Sequence, residues 1–300
     1  MKIINYKLNI LESLQNIYIS PLELCNLNCK YCYTKKTKNI LSNRQILSFV
    51  KRYNTALTKF RSQQFFDDIQ RGNALARGKK LVDEKLSLKS IIFCGGEVFT
   101  LKNFPRLVNN LISKNIFITI ITNGTIDRLQ EIKDPRNCQL IVSFDGPEAI
   151  HDLNRGQGNF QKSKLFVKHA LNLGFPVEIF YLITKDSYPY KDSFDIFGLK
   201  KTYLTDRLNS LSFNQVKDIR QNYPVFPPKN FGCSMLSLQS DGKFYGCCES
   251  NISIGSLSGP ISKILLNYST IYQKNPLCFD PDYFCNLRPS KQFLGAQPVR

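Results

Sequence analysis

Histidine is scarce in this chain. Two His in 300 residues leave almost no imidazole for a metal centre, so any metal chemistry must rest on other ligands. Long apolar runs are missing too. No stretch reaches the roughly 18 residues that a bilayer-crossing helix needs. The opening stretch MKIINYKLNILESLQ breaks its apolar residues with Lys, Asn and Glu. It has neither a secretory signal core nor a small-residue cleavage site, which predicts a cytoplasmic protein with no membrane partner. Acidic residues are the scarce charge, 23 against 41 basic ones, for a net charge of +18. No dense Lys/Arg block accompanies this excess, so a scattered, solvated surface is the first reading. No face interleaving cations with exposed aromatics can be read either, and a nucleic-acid partner is not expected. The most basic stretch, 51–89, is assigned to an anionic partner or to shielding the side of the fold.

Cysteine, by contrast, is plentiful. Ten cysteines in a reducing compartment are not expected to pair as disulfides, and metal or cluster ligation becomes the default. They fall as a trio (Cys25, Cys29, Cys32), two singles (Cys94, Cys138) and a C-terminal five (Cys233, Cys247, Cys248, Cys278, Cys285). The trio has the spacing C-x3-C-x2-C, and the next cysteine is 62 residues on. A structural zinc site takes four protein ligands. Three thiolates in one loop suit a cubane cluster with one iron left open to a small molecule, and zinc is the alternative. Cys94 and Cys138 read as small buried hydrophobes.

Apolar strands alternate with helical patterns along the chain. Strands are predicted over 16–24, 89–97, 116–124, 138–146 and 176–184, with a sixth near 201–206. Ser42 with Gln45 resembles a capping box, and Ile46, Phe49, Val50, Tyr53, Leu57 and Phe60 then recur at helical spacing. Further helices are expected from Phe104 to Ile112, from Ile126 to Ile132, around Phe166 to Leu173, and over 212–223. This alternation predicts an α/β fold with a parallel sheet covered on its outside. The proline-rich stretch 223–233 reads as a linker and domain boundary. Beyond it, 233–248 reads as a hairpin with a two-residue loop at Asp241-Gly242, which sets Leu236 opposite Cys247 and turns Cys248 to the other face.

The motif Cys25-x3-Cys29-x-Tyr31-Cys32 resembles the signature of radical S-adenosylmethionine (radical SAM) enzymes. Three more elements follow in the family's order: Gly95-Gly96-Glu97 after the second strand, TNGT after the third and SFDG after the fourth. The resemblance covers about 16–210 and implies a partial (β/α)6 barrel of the TIM type, with the helical segment 42–88 and its chemistry at the carboxyl ends of the strands. It implies a 4Fe-4S cluster on Cys25, Cys29 and Cys32. SAM would chelate the open iron and be cleaved to a 5′-deoxyadenosyl radical that takes hydrogen from a substrate. It places Gly95, Gly96 and Glu97 at the SAM ammonium, Tyr31 on the adenine side, and Asn123, Ser143 and Asp145 near the ribose or carboxylate. Arg155 is a candidate for the methionine carboxylate, its alternative being a surface-loop arginine. Val98 stands where the family has proline. Residues 225–300 resemble the family's SPASM and twitch extensions, which implies a second 4Fe-4S cluster on Cys233, Cys247, Cys278 and Cys285. A zinc knuckle is the alternative there. A peptide or protein substrate is expected first, then a small-molecule metabolite, with a reductant such as flavodoxin or ferredoxin. A non-enzymatic iron–sulfur electron carrier is the rival of another class. Only about 15 residues precede the first strand, so a leader-binding domain is not expected here.

Overall fold

The computed structural model describes residues 14–32, 34–70, 87–205, 210–225, 235–246 and 252–274. Six parallel strands stand in chain order: β1 (Asn16–Ile19), β2 (Ser90–Phe93), β3 (Phe117–Thr122), β4 (Cys138–Phe144), β5 (Val177–Ile183) and β6 (Lys201–Thr205). Within this set of six, each strand pairs with its neighbours in sequence, so every crossover among them steps the same way along the sheet. Among the helices are α1 (Asn43–Gln70), α2 (Phe104–Ile112), α3 (Glu148–Arg155), α4 (Asn159–Asn172) and α5 (Phe213–Asn222).

The predicted signals account for most of these elements. The α1 capping box is present, with Gln45 N donating to Ser42 Oγ at 3.3 Å and Ser42 N donating to Gln45 Oε1 at 2.9 Å. Ile46, Phe49, Val50, Tyr53 and Leu57 are all buried on one side of α1. One face of the sheet is closed by aromatic contacts to the helices. Phe93 meets Phe104 with ring centroids 5.2 Å apart, and Phe144 meets Phe160 at 5.7 Å.

Four expectations change. The predicted helix over 126–132 is absent: the connection from β3 to β4 is two 3-10 turns, Leu129–Glu131 and Pro135–Asn137. Leu129 and Ile132 are still buried, but Asp127 Oδ1 captures Leu129 N at 3.1 Å and Pro135 supplies no N–H to continue a helix. α3 occupies a stretch read as loop, between Pro147 and Gly156 (φ 102). β1 ends at Ile19 rather than at residue 24, because Pro21 has no N–H for the ladder. Cys94 is half-exposed, whereas Cys138 is buried as expected.

The C-terminal hairpin joins the sheet. β7 (Leu236–Leu238) lies parallel to β1, with Ile17 beside Leu236, and β8 (Lys243–Tyr245) and β9 (Ser253–Ser256) follow antiparallel. Residues placed by sequence in a second domain therefore extend the first sheet. α6 (Ile261–Lys274) follows β9. Phe244 stacks on Phe49 at 5.1 Å, and Arg52 donates to Leu257 O and Gly259 O, both at 2.7 Å. The hairpin register differs from the predicted one by a residue. Ser237 pairs with Tyr245 and Leu238 with Phe244, because Gly242, at φ 75, makes a three-residue loop with a left-handed last position. Continuing that ladder sets Leu236 opposite Gly246, not Cys247. Cys233, Cys247, Cys248, Cys278 and Cys285 lie outside the described residues. Among the described residues, no helix is long and apolar enough to cross a membrane.

Candidate active site

Strand partners in a parallel sheet share a face. Counting from the registers, Ser20, Cys94, Asn123, Asp145 and Thr184 follow the carboxyl ends of β1 to β5 on the face away from Phe93, Val142 and Phe144. The cysteine loop lies against this rim, and three contacts fix it there.

The first contact is main chain on main chain. Gly96 N donates to Leu22 O and Glu97 N to Leu24 O, both at 2.9 Å. A Cβ on Gly96 would sit 1.8 Å from Leu24 O, and one on Gly95 (φ 133) would sit 2.2 Å from Leu22 O. Glycine is required because any side chain would push away the segment that leads into Cys25. Glu97 braces the same corner. Its fully buried carboxylate accepts from Thr122 Oγ1 at 2.9 Å, Asn123 N at 2.8 Å and Phe99 N at 3.2 Å. Burial pushes its pKa up, and these donors oppose the shift.

The second contact is an amide clasp. Asn123 Nδ2 donates to Asn26 Oδ1 at 3.0 Å and points at Cys25 Sγ at 3.7 Å, while its Oδ1 accepts from Thr125 N and Oγ1 at 2.9 and 2.7 Å. Asn26 Nδ2 returns a bond to Thr125 Oγ1 at 2.8 Å. The TNGT motif thus grips the loop. Asn26 carries no signal in the sequence, being one asparagine of a polar loop.

The third contact is a buried charge cluster. Tyr31 Oη donates to both Asp145 oxygens at 2.8 and 2.7 Å, and Arg155 Nε donates to Asp145 Oδ1 at 2.8 Å. The guanidinium lies 5.6 Å from the Tyr31 ring centroid. Asp145 is fully buried and the Arg155 side chain is 8% exposed, so Arg155 closes α3 inside the protein rather than on a surface loop. Burial raises the Asp145 pKa against the pull of Arg155, and the carboxylate in turn holds Arg155 protonated. α3 also supplies Asn154 O, which accepts Lys30 N at 3.1 Å. Ser143 sits one strand pair below Asp145 on the same face, half-exposed beside Phe180.

These contacts hold the loop that carries the three thiols. Cys25 and Cys29 are half-buried and Cys32 is exposed. Burial raises the Cys25 and Cys29 pKa values, and each thiol feels the charge of its neighbours. Arg155 pulls the Cys29 value back down. Leu27 N donates to Cys25 Sγ at 3.4 Å. Among the described residues, no group of His, Cys, Asp and Glu is gathered tightly enough for a single metal ion. The donor set is all sulfur, with N–H groups directed at one sulfur, which is the setting of an iron–sulfur cluster.

The chain matches known proteins in sequence and in fold. The model of the radical SAM superfamily matches residues 19–187. The chain is 26% identical over 225 residues to the radical SAM cyclopropyl synthase TigE of Paramaledivibacter caminithermalis, covering 71% of this chain and 40% of that protein. It is 28% identical over 171 residues to the Fe-coproporphyrin III synthase of Methanosarcina barkeri, covering 54% and 35%. The chain thus spans less than half the length of either relative. In fold it resembles native anSMEcpe with bound AdoMet and Cp18Cys peptide, at TM-score 0.61, 18% identity and coverage of 90% and 86%. It also resembles Streptococcus suis SuiB bound to precursor peptide SuiA, at TM-score 0.57, 13% identity and coverage of 84% and 64%. A match that starts in β1 and runs past β5, over more than half of the chain, meets the cysteine loop and the turns that hold it, and the protein belongs to the radical SAM superfamily.

Proposed function

We propose that this protein is a radical SAM enzyme that modifies a peptide or protein, built on a partial (β/α)6 barrel over 16–210. The observation that carries the reading is the seating of Cys25, Cys29 and Cys32 on the rim of β1–β4 by Gly95–Glu97, Asn123 and the Tyr31–Asp145–Arg155 cluster. The three thiolates ligate a 4Fe-4S cluster. When bound, the cluster supplies an electron, and SAM supplies the 5′-deoxyadenosyl radical that abstracts hydrogen from substrate. The chain's own residues prepare that step. Gly95 and Gly96 hold the loop entry at fixed height, and Asn123 and Leu27 direct N–H groups at Cys25. Arg155 sets positive charge beside Cys29, which favours the thiolate form the cluster needs. Ser143, on the same face as Asp145, would contact SAM when it is bound.

The peptide reading draws on fold likeness to anSMEcpe and SuiB, whose structures hold peptides, and on the TigE match. A small-molecule substrate is the second reading, favoured by the relative named for Fe-coproporphyrin III. The segment 225–300 is proposed to carry an auxiliary cluster on Cys233, Cys247, Cys278 and Cys285, and flavodoxin or ferredoxin is the proposed reductant. Anaerobic reconstitution tests the set. About eight irons are expected for two clusters and about four after replacing Cys25, Cys29 and Cys32 by Ala. With dithionite and SAM, 5′-deoxyadenosine should be released by the parent and not by Cys29→Ala. Stoichiometric zinc without iron uptake, or release that persists in Cys29→Ala, overturns the reading.

A further inference from the structure

The groove between α1 and α2, on the outer side of the sheet, carries an uncompensated charge. Arg44 and Lys51 of α1 face Arg106 of α2 and Lys114 just beyond it across an open volume of about 1100 Å³. No Asp or Glu lines the groove. All four cations are exposed, and none has an ion-pair partner among the described residues. Four like charges held around one groove without a counterion repel one another and favour an anion between them.

The rest of the lining says which kind of anion. Asn103, Asn110 and Ser48 are exposed along the walls. Amide and hydroxyl groups both donate and accept, so they match the alternating N–H and C=O of an extended polypeptide. No aromatic ring lines the groove, whereas proteins that hold single-stranded nucleic acid present rings for the bases to stack on. The surface is concave, so a flat bilayer cannot reach its floor. From residue 43 to 55 the groove follows α1 for about 18 Å, the span of five or six extended residues. One end lies at the rim, where Asn43 Nδ2 donates to Asn103 O at 2.8 Å and ties the two helix starts together. We propose that this groove binds an acidic polypeptide segment in extended conformation, entering from the side of the cysteine loop. The proposal concerns binding alone and does not depend on the chemistry of that loop.

The test is fluorescence anisotropy on the full reconstituted chain with a labelled octaglutamate peptide, beside a labelled oligouridylate of equal charge. The peptide should bind more tightly than the oligouridylate, and binding should weaken as salt rises. Arg44→Glu/Arg106→Glu should weaken peptide binding at least tenfold. Lys133→Glu/Arg136→Glu, the same charge change on exposed residues elsewhere, should weaken it less than threefold. Circular dichroism and iron content should be unchanged in both variants, as all four positions are surface ones. Equal losses in the two double variants would show that only net charge acts and would overturn the groove. Tighter, groove-dependent binding of the oligouridylate would overturn the peptide assignment in favour of nucleic acid.

Discussion

The helix-facing side of the sheet and the rim at its carboxyl ends are built from the same strands by opposite chemistry. On the helix side, Phe93, Phe99 and Phe104 meet edge to face, with centroids 5.2 and 5.6 Å apart, and Phe99 continues to Phe166 at 5.9 Å. Such pairs add about 0.5–1.5 kcal/mol each beyond the area they bury. At the rim, Glu97, Asp145 and Arg155 are buried with their charges. Burying ions costs more than a matched apolar pair would, and removing one partner is worse. The helix side therefore supplies stability, and the rim uses some of it to hold the cysteine loop in one place.

Four substitutions probe that division. The largest effect is expected from Gly96→Val, which forces side-chain atoms into Leu24 O. The entry to the cysteine loop should be lost, with about four irons fewer after reconstitution. Full iron uptake at an unchanged Tm would show that this tight seating does not position the loop. Asp145→Ala comes next. It strands a buried guanidinium and the Tyr31 hydroxyl, so urea unfolding should show a loss of about 3–5 kcal/mol. A loss below about 1 kcal/mol would mean that solvent reaches the cluster and that the rim resembles an ordinary surface. Asp145→Ala/Arg155→Met should recover part of the loss.

The third is His151→Phe, in which the rim's helix meets the helix-side packing. His151 is fully buried between Phe144 and Phe160, with no partner for either ring nitrogen among the described residues. Burial lowers its pKa from 6.5 to about 3. The folded state thus favours neutral imidazole. Its contribution is full above about pH 6.5 and is lost as pH falls toward 3, because the unfolded chain takes up the proton first. Between pH 6.5 and 5 this amounts to about 2 kcal/mol, and His151→Phe should flatten that part of the stability profile. An unchanged slope would place the acid sensitivity elsewhere. The smallest effect on the site is expected from Phe104→Leu, which gives up two ring pairs, a loss of about 1–3 kcal/mol by thermal unfolding with iron content intact. Iron loss in that variant would show that the two regions are not separable.

Several features were legible because they are local. The C-x3-C-x2-C spacing, the Ser42–Gln45 capping box and the apolar strands each depend on near neighbours, and the physics of turns, caps and periodicity acts within about ten residues. The same local reading failed where a single residue overrode the pattern: Asp127 and Pro135 turned a predicted helix into 3-10 turns, and Gly242 lengthened a hairpin loop. Motif order was legible, but motif partners were not. Tyr31 and Asp145 are 114 positions apart, and Asn123 and Asn26 are 97 apart. Only the sequential winding of β1–β4 brings such residues to one rim. The parallel docking of β7 on β1 was equally hidden, since an exposed sheet edge accepts any strand that reaches it. The sequence by itself determined which residue types the site contains and in what order they come. Only the tertiary structure decided that Gly96 seats the cysteine loop, that Asn123 clasps it, and that Asp145 and Arg155 are buried against Tyr31, because these contacts exist only once the strands have paired.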